Sequence, residues 1–183
     1  MAIQDMIRKI TIQDAKAIAD IYNEYVQNSV ATFETEPVLL HEMCRRIEEI
    51  SSQYPYLVYE ENGKVLGYCY AHKWKARTAY RHTLETTVYV DVTAHGRGIG
   101  ENLMRHLIAE CRKADVHVLI ACITDGNEKS IMLHQRLGFL LVSHFYQVGM
   151  KFNRWLDVVD FQLQLYLLSK STKLMYSVKC SCF

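Results

Sequence analysis

The chain has 183 residues, half of them hydrophobic and only two of them proline. That length and composition describe one folded domain with a sizeable core and exclude a disordered chain. A formal net charge of +1, with no basic run, gives no global field for nucleic acid or an anionic membrane.

No apolar stretch approaches the ~18 residues of a membrane span. The start, Met1-Ala2-Ile3-Gln4-Asp5, lacks the basic-then-apolar pattern of a secretory signal, so a cytoplasmic protein is expected. Cys44, Cys69, Cys111 and Cys122 are scattered through ordinary helix or strand patterns and read as reduced, buried thiols. Cys180 and Cys182 stand close together, but no second Cys or His pair has zinc-site spacing, so no metal is expected.

Met6 to Ile10 predicts a short strand. Thr11 is placed to cap a helix, with Asp14 three residues on as an acidic form of the capping box. Ile12, Ala15, Ile18, Ala19, Tyr22 and Val26 then recur at helical spacing. The polar stretch Asn28 to Glu36 holds one aromatic, Phe33. Pro37 predicts the opening of a second helix, with Leu40, Met43, Ile47 and Ile50 on one face.

Tyr56 to Glu60 and Val65 to Ala71 are β-rich runs around Asn62-Gly63, the favoured pair for a tight hairpin because both positions need positive φ. A loop around Trp74 to His82 leads to a third strand from Leu84 to Val90, giving three antiparallel strands in sequence. His95-Gly96-Arg97-Gly98-Ile99-Gly100 then enters a helical period of Ile99, Leu103, Leu107, Ile108 and Cys111. Val116 to Ile123 reads as a buried strand, and Asn127 to Leu137 as a short helix stopped by Gly138. Phe139 to Tyr146 and Val158 to Leu165 read as two closing strands. One domain, residues 6–165, is expected, followed by a tail, 166–183, to which no function is assigned.

A strand, a glycine-rich loop and a helix start together describe an anion site. The first turn of a helix leaves N–H groups unpaired, the macrodipole adds positive charge, and glycines let the backbone approach closely. Arg97 adds a candidate charged contact. Glu101-Asn102 follows Gly100 where a Walker loop needs Lys-Ser/Thr, and the Gly-x-Gly-x-Gly spacing after an antiparallel meander departs from the dinucleotide fingerprint. A glycine turn that merely starts a helix is the other reading of the loop.

Val88-Tyr89-Val90 followed by His95 to Gly100 resembles the acetyl-CoA motif of the GNAT acetyltransferases. The segments Ile21-Tyr22-Asn23, Thr32-Phe33, Tyr80 to Val90, Leu133 to Phe139, Gln147 to Phe152 and Arg154 to Asp157 bring it closest to the phosphinothricin and methionine sulfone N-acetyltransferase branch. Together they cover roughly residues 6 to 165. Two positions depart from the pattern: His95 stands where Arg or Gln is usual, and Val92 replaces a common proline.

The resemblance implies an α+β GNAT fold, with a mixed, mostly antiparallel sheet flanked by helices, and direct acetyl transfer in a ternary complex from acetyl-CoA to the primary amine of a small amino-acid-like acceptor. A polyamine, an aminoglycoside or a protein N-terminus as acceptor, and an acyl-CoA-binding module without turnover, are the other readings. It also implies a homodimer, for which Gln147 to Trp155 is a candidate interface segment. A lysine-type amine has a pKa of about 10.4, so removing its proton at pH 7 costs roughly 4–5 kcal/mol. A general base lowers that barrier. Glu85 is the candidate. Strand alternation places it with Thr87 and Tyr89 on one face, opposite Thr86, Val88 and Val90, and a half-buried carboxylate is costly without work or a partner. The plain alternative pairs it with Arg81 or Lys75.

His134 matches the histidine of the family's Leu-His-x-x-Leu-Gly pattern and is the second catalytic candidate. The expected acetyl-CoA contacts are Val88, Tyr89 and Val90 for the pantetheine arm, and His95, Gly96, Arg97, Gly98, Ile99, Gly100 and Glu101 for the pyrophosphate. Asn127 is either a further contact or a helix N-cap. For an amino-acid-like acceptor, Lys75, Arg77 and Arg81 are candidate carboxylate partners, Phe33 and Trp74 candidate walls, and Thr87 a neighbour of the base.

Overall fold

The computed structural model describes residues 6–166. Residues 167–183 of the expected tail, including Cys180 and Cys182, lie outside the described residues. Seven strands form one mixed sheet: β1 Ile7–Lys9, β2 Tyr56–Glu61, β3 Lys64–Lys73, β4 Thr83–Val90, β5 Val118–Thr124, β6 Leu140–Lys151 and β7 Arg154–Gln164. Four helices accompany them: α1 Ala15–Asn28, α2 Leu40–Ser51, α3 Ile99–Lys113 and α4 Glu128–Arg136. The strand order is β1-β2-β3-β4-β5-β7-β6, and every neighbouring pair is antiparallel except β4 and β5. No described helix is long and apolar enough to cross a membrane.

The sheet is covered on both faces through its first four strands. Leu57, Cys69, Leu103, Met104, Leu107 and Leu119 fill the layer under α3, while Ile18, Val26, Met43, Ile47, Val58 and Tyr68 fill the layer under α1 and α2. Alternation along each strand sorts these residues to their layers. The expected division of β4 holds: Val88 and Val90 pack toward α3, and Tyr89 toward α1.

The Asn62-Gly63 hairpin forms as expected, with φ 52° and 76°. Asp14 accepts from the Thr11 N–H at 2.8 Å, and from Arg8 at 2.8 Å through each of its oxygens. The capped element is first a 3₁₀ turn, Ile12–Asp14, which then feeds α1. Pro37 does not open α2. The chain stays extended to Leu39, and the helix begins at Leu40. Asn23 is the cause, since its amide donates to the Val38 carbonyl at 2.9 Å and accepts from the Val38 N–H at 2.8 Å. Backbone groups held sideways in this way are not free to join a helical ladder. Leu40 is consequently exposed, and Met43 and Ile47 form the buried face.

The last two described strands differ most from expectation. The two closing strands are one long hairpin, turning at Phe152-Asn153 with φ 50° and 57°. Register shifts interrupt β6 near Ser143 and Gln147, and Asp157 steadies the second by accepting from the Gln147 N–H at 2.8 Å. Much of this hairpin is apolar yet exposed: Leu140, Tyr146, Val148 and Trp155 all stand in solvent.

Candidate active site

The parallel seam between β4 and β5 is short. It pairs Thr83, Leu84 and Glu85 with Val118, Leu119 and Ile120. A side-chain bond from the Thr86 hydroxyl to the Ile120 carbonyl, at 3.1 Å, is the last tie across it. Beyond that point the strands part, and β4 presents its backbone edge from Thr87 to Val90 toward the gap. An exposed strand edge is a ready partner for an extended ligand. The gap opens into a cavity of about 1120 Å³. That exceeds the roughly 300–1,000 Å³ of an ordinary small-molecule pocket and suits a long ligand with a second molecule beside it.

The glycine loop forms one end of this cavity, where Gly96 and Gly98 take φ 78° and 76°, a conformation that side chains resist. Gly98 is the N-cap of α3, and no side chain caps the helix there. The Ile99, Gly100 and Glu101 amides therefore begin the helix without intrahelical acceptors, at the positive end of its dipole. Val92 replaces the usual proline at the first position of a 3₁₀ turn, and Asp91 holds that turn by accepting from the Thr93 N–H at 2.9 Å. His95 lines the cavity, with its Nε2 2.8 Å from the Tyr25 hydroxyl and 3.2 Å from the Val90 carbonyl.

Glu85 lies at the vertex where the strands part. Its neighbour is neither Arg81 nor Lys75 but His72, whose Nε2 is 4.0 Å from Oε1. Burial pushes the Glu85 carboxyl above the ordinary carboxylate range, His72 partly opposes this, and Asp160 adds to the push. Cys122 lines the same floor and, against expectation, is exposed rather than buried, as Cys44 is only half-buried. The Cys122 thiol is pushed up to about 12 by desolvation within the cleft and by the charges of Glu85 and Asp160.

His134 lines the cavity from α4 and is almost fully buried. Its Nδ1 lies 2.8 Å from the Ser130 carbonyl, which accepts only, so Nδ1 carries the proton and Nε2 keeps its lone pair. Burial lowers its pKa, so the ring is neutral at pH 7. Phe139 meets it edge-to-face at 5.0 Å. Asn127 caps α4, accepting weakly from the Ser130 N–H at 3.4 Å, and also lines the cavity.

Of the remaining expected residues, Phe33, Thr87, Val88, Tyr89, Val90 and Glu101 line the cavity. Arg97 does not. Its guanidinium sits on Glu61, 2.8 Å from both carboxylate oxygens. Trp74, Lys75, Arg77 and Arg81 also lie outside the lining, because their loop packs on itself. Lys75 Nζ rests 4.0 Å from the Trp74 ring centroid, and Tyr80 meets that ring edge-on at 5.3 Å. Sequence reasoning missed Tyr25, Cys122 and Thr124, which enter the cavity by tertiary approach and carry no local signal.

The Acetyltransferase (GNAT) domain family matches residues 7–159. An L-amino acid N-acyltransferase of Escherichia coli is 41% identical over 153 residues, covering 83% of this chain and 89% of its own length. An L-methionine sulfoximine/L-methionine sulfone acetyltransferase of Salmonella typhimurium is 40% identical over 157 residues, covering 83% and 90%. A GNAT superfamily phosphinothricin acetyltransferase from Sinorhizobium meliloti, solved in complex with acetyl-CoA, superposes with TM-score 0.84 at 38% identity, covering 86% of each chain.

Proposed function

The chain belongs to the acetyltransferase (GNAT) family, and on that premise we propose that it transfers acetyl from acetyl-CoA to the primary amine of a small amino-acid-like acceptor. Phosphinothricin, methionine sulfone and methionine sulfoximine define the acceptor type, in line with the names of its relatives. The observation that carries this reading is the parting of β4 and β5, with a half-buried carboxylate at the vertex and an uncapped helix start at the other end of the cavity.

The residues fit acetyl-CoA along the length of the cleft. The Ile99, Gly100 and Glu101 amides receive the pyrophosphate, with Gly96 and Gly98 giving it room. The β4 edge from Thr87 to Val90 pairs with the pantetheine arm. The donor supplies an activated thioester carbonyl. Glu85 takes the proton of the incoming ammonium, and its raised proton affinity suits that task near neutral pH. His134, neutral and with Nε2 as an acceptor, orients the reacting groups from the α4 side. Both substrates occupy the cleft together: the amine nitrogen attacks the thioester carbonyl, the amide C–N bond forms as the C–S bond breaks, and coenzyme A leaves as its thiolate, which takes up a proton to depart as the thiol. Phe33 and Thr87 bound the acceptor end. Acetylation removes the positive charge of the amine, which is the chemistry of detoxifying an amino-acid-like inhibitor.

The protein is further proposed to be a cytoplasmic homodimer. Its reduced buried thiols, Cys69 and Cys111, support the compartment. The exposed apolar face of the β6–β7 hairpin supports the dimer. The activity is tested by following thiol release from acetyl-CoA with the three named acceptors, a polyamine and an aminoglycoside. Turnover with the amino-acid-like acceptors alone is expected. Absence of turnover with every amine would overturn the enzymatic reading.

A further inference from the structure

The segment Ser29 to Phe33 crosses the cleft between α1 and the hairpin, and four of its five residues line the cavity. It has no regular secondary structure, so side chains from elsewhere hold its backbone. The Thr124 hydroxyl donates to the Val30 carbonyl at 2.6 Å, and the Tyr89 hydroxyl to the Ala31 carbonyl at 3.4 Å. The Tyr22 and Thr32 hydroxyls meet at 2.8 Å.

The fourth holder is Lys151, at the end of β6. Its ammonium donates to the Thr32 carbonyl at 2.8 Å and reaches the Tyr25 carbonyl at 3.5 Å. Lys151 is only 3% exposed. Among the described residues no carboxylate forms an ion pair with it, Glu34 acts on it only at longer range, and the Phe152 ring centroid lies 5.1 Å from its Nζ. A buried cation is costly unless it is satisfied, so two main-chain carbonyls are an unusual use for one. Two residues earlier, Gly149 lies against the Phe33 ring. A Cβ added there would sit 2.0 Å from one ring carbon and 2.4 Å from the next. Only a residue without a side chain lets that ring lie where it does.

We propose that Lys151 and Gly149 are positioning residues that hold the 29–33 strap, and with it Phe33, as the acceptor-end wall of the cleft. Lys151 fixes the backbone of the strap, and Gly149 fixes the place of its one aromatic side chain. Neither residue lines the cavity, so each acts through the strap. The proposal rests on the reading above for where the acceptor lies, but the strap itself is a property of the fold. It also gives β6 a part in the site of its own chain.

The test uses Lys151→Met, Gly149→Ala, Phe33→Ala and the Phe33→Ala/Gly149→Ala double variant. Hydrogen exchange across residues 29–33 is expected to quicken in Lys151→Met, and acetyl-CoA affinity measured by calorimetry to stay within about twofold. The KM for methionine sulfone is expected to rise about tenfold in Lys151→Met and in Gly149→Ala, with kcat less affected, as for lost uniform binding. The double variant is expected to match Phe33→Ala alone, since an added methyl has no ring to displace. Additive effects in the double variant would overturn the role of Gly149. Unchanged exchange in Lys151→Met would overturn the strap. Faster exchange with an unchanged acceptor KM would overturn its link to the acceptor. If the wild type turns over no amine, the proposed function fails instead, and the exchange measurement still decides the strap.

Discussion

The sheet has two halves that meet at the β4–β5 seam, and they are built on different terms. From β1 to β4 both faces are covered, by α1 and α2 on one side and α3 on the other. From β5 to β6 the sheet ends in a hairpin whose large apolar side chains face solvent. The first half satisfies itself within the chain. The second half carries surface that isolated monomers rarely leave bare. The active-site cleft lies where these two halves part, so one wall is set by core packing and the other by the hairpin side.

The largest effect is expected at the junction. Glu85→Gln should lower kcat/KM near pH 7 by about 10²–10⁴-fold, the usual worth of a general base. In the proposed role Glu85 works deprotonated, and burial holds its carboxyl above the ordinary range. Wild-type activity is therefore expected to fall as pH drops through that raised value, and the Gln variant to lose this limb. A profile identical to wild type would remove Glu85 as the base. The sign for stability is opposite. A carboxyl whose pKa is raised by folding favours the folded state below its unfolded pKa, and that benefit is lost as pH rises through the folded value. At pH 7 the Gln variant is expected to melt above the wild type.

The next test contrasts the two halves directly. Leu103 is fully buried under α3, and Leu103→Ala should cost about 2–5 kcal/mol in urea unfolding. Trp155 is 59% exposed on the hairpin, and Trp155→Ser should change monomer stability by no more than about 0.5 kcal/mol. Its effect should appear in sedimentation equilibrium, as a shift from dimer to monomer. A dimer that survives paired Trp155→Ser and Tyr146→Ser changes would place the interface elsewhere. The smallest effect is expected at Arg97, which is paired with Glu61 on the outside of the loop. Arg97→Ala should leave acetyl-CoA affinity within about twofold by calorimetry, and a tenfold loss would put that guanidinium on phosphate after all.

The same division explains what could be read in advance. The Asn62-Gly63 turn, the glycine loop before α3 and the alternation that aims Glu85 into the cleft are local patterns, and all three appear in the fold where expected. The Phe152-Asn153 turn has the same positive φ pair as Asn62-Gly63 but not its glycine, so a continuous hairpin looked like two separate strands. The basic loop from Lys75 to Arg81 suggests an acceptor anchor by charge, and within the single chain it stands outside the cavity lining with Lys75 resting on Trp74. The delay of α2 past Pro37 comes from an asparagine fifteen residues before Val38, a contact no window of sequence reveals. Strand and helix periods predict which face a side chain takes, and they are silent on which distant loop will meet it.

Cys122 lines the same cavity as Glu85, and the charge of Glu85 acts on its thiol. A thiolate there would compete with the amine for the acetyl group and leave the enzyme acetylated on itself. Desolvation and the charges of Glu85 and Asp160 push the Cys122 thiol up to about 12, which disfavours its thiolate. The surroundings that raise the Glu85 carboxyl thus also hold the neighbouring thiol in its less reactive form, and the two shifts share one electrostatic origin.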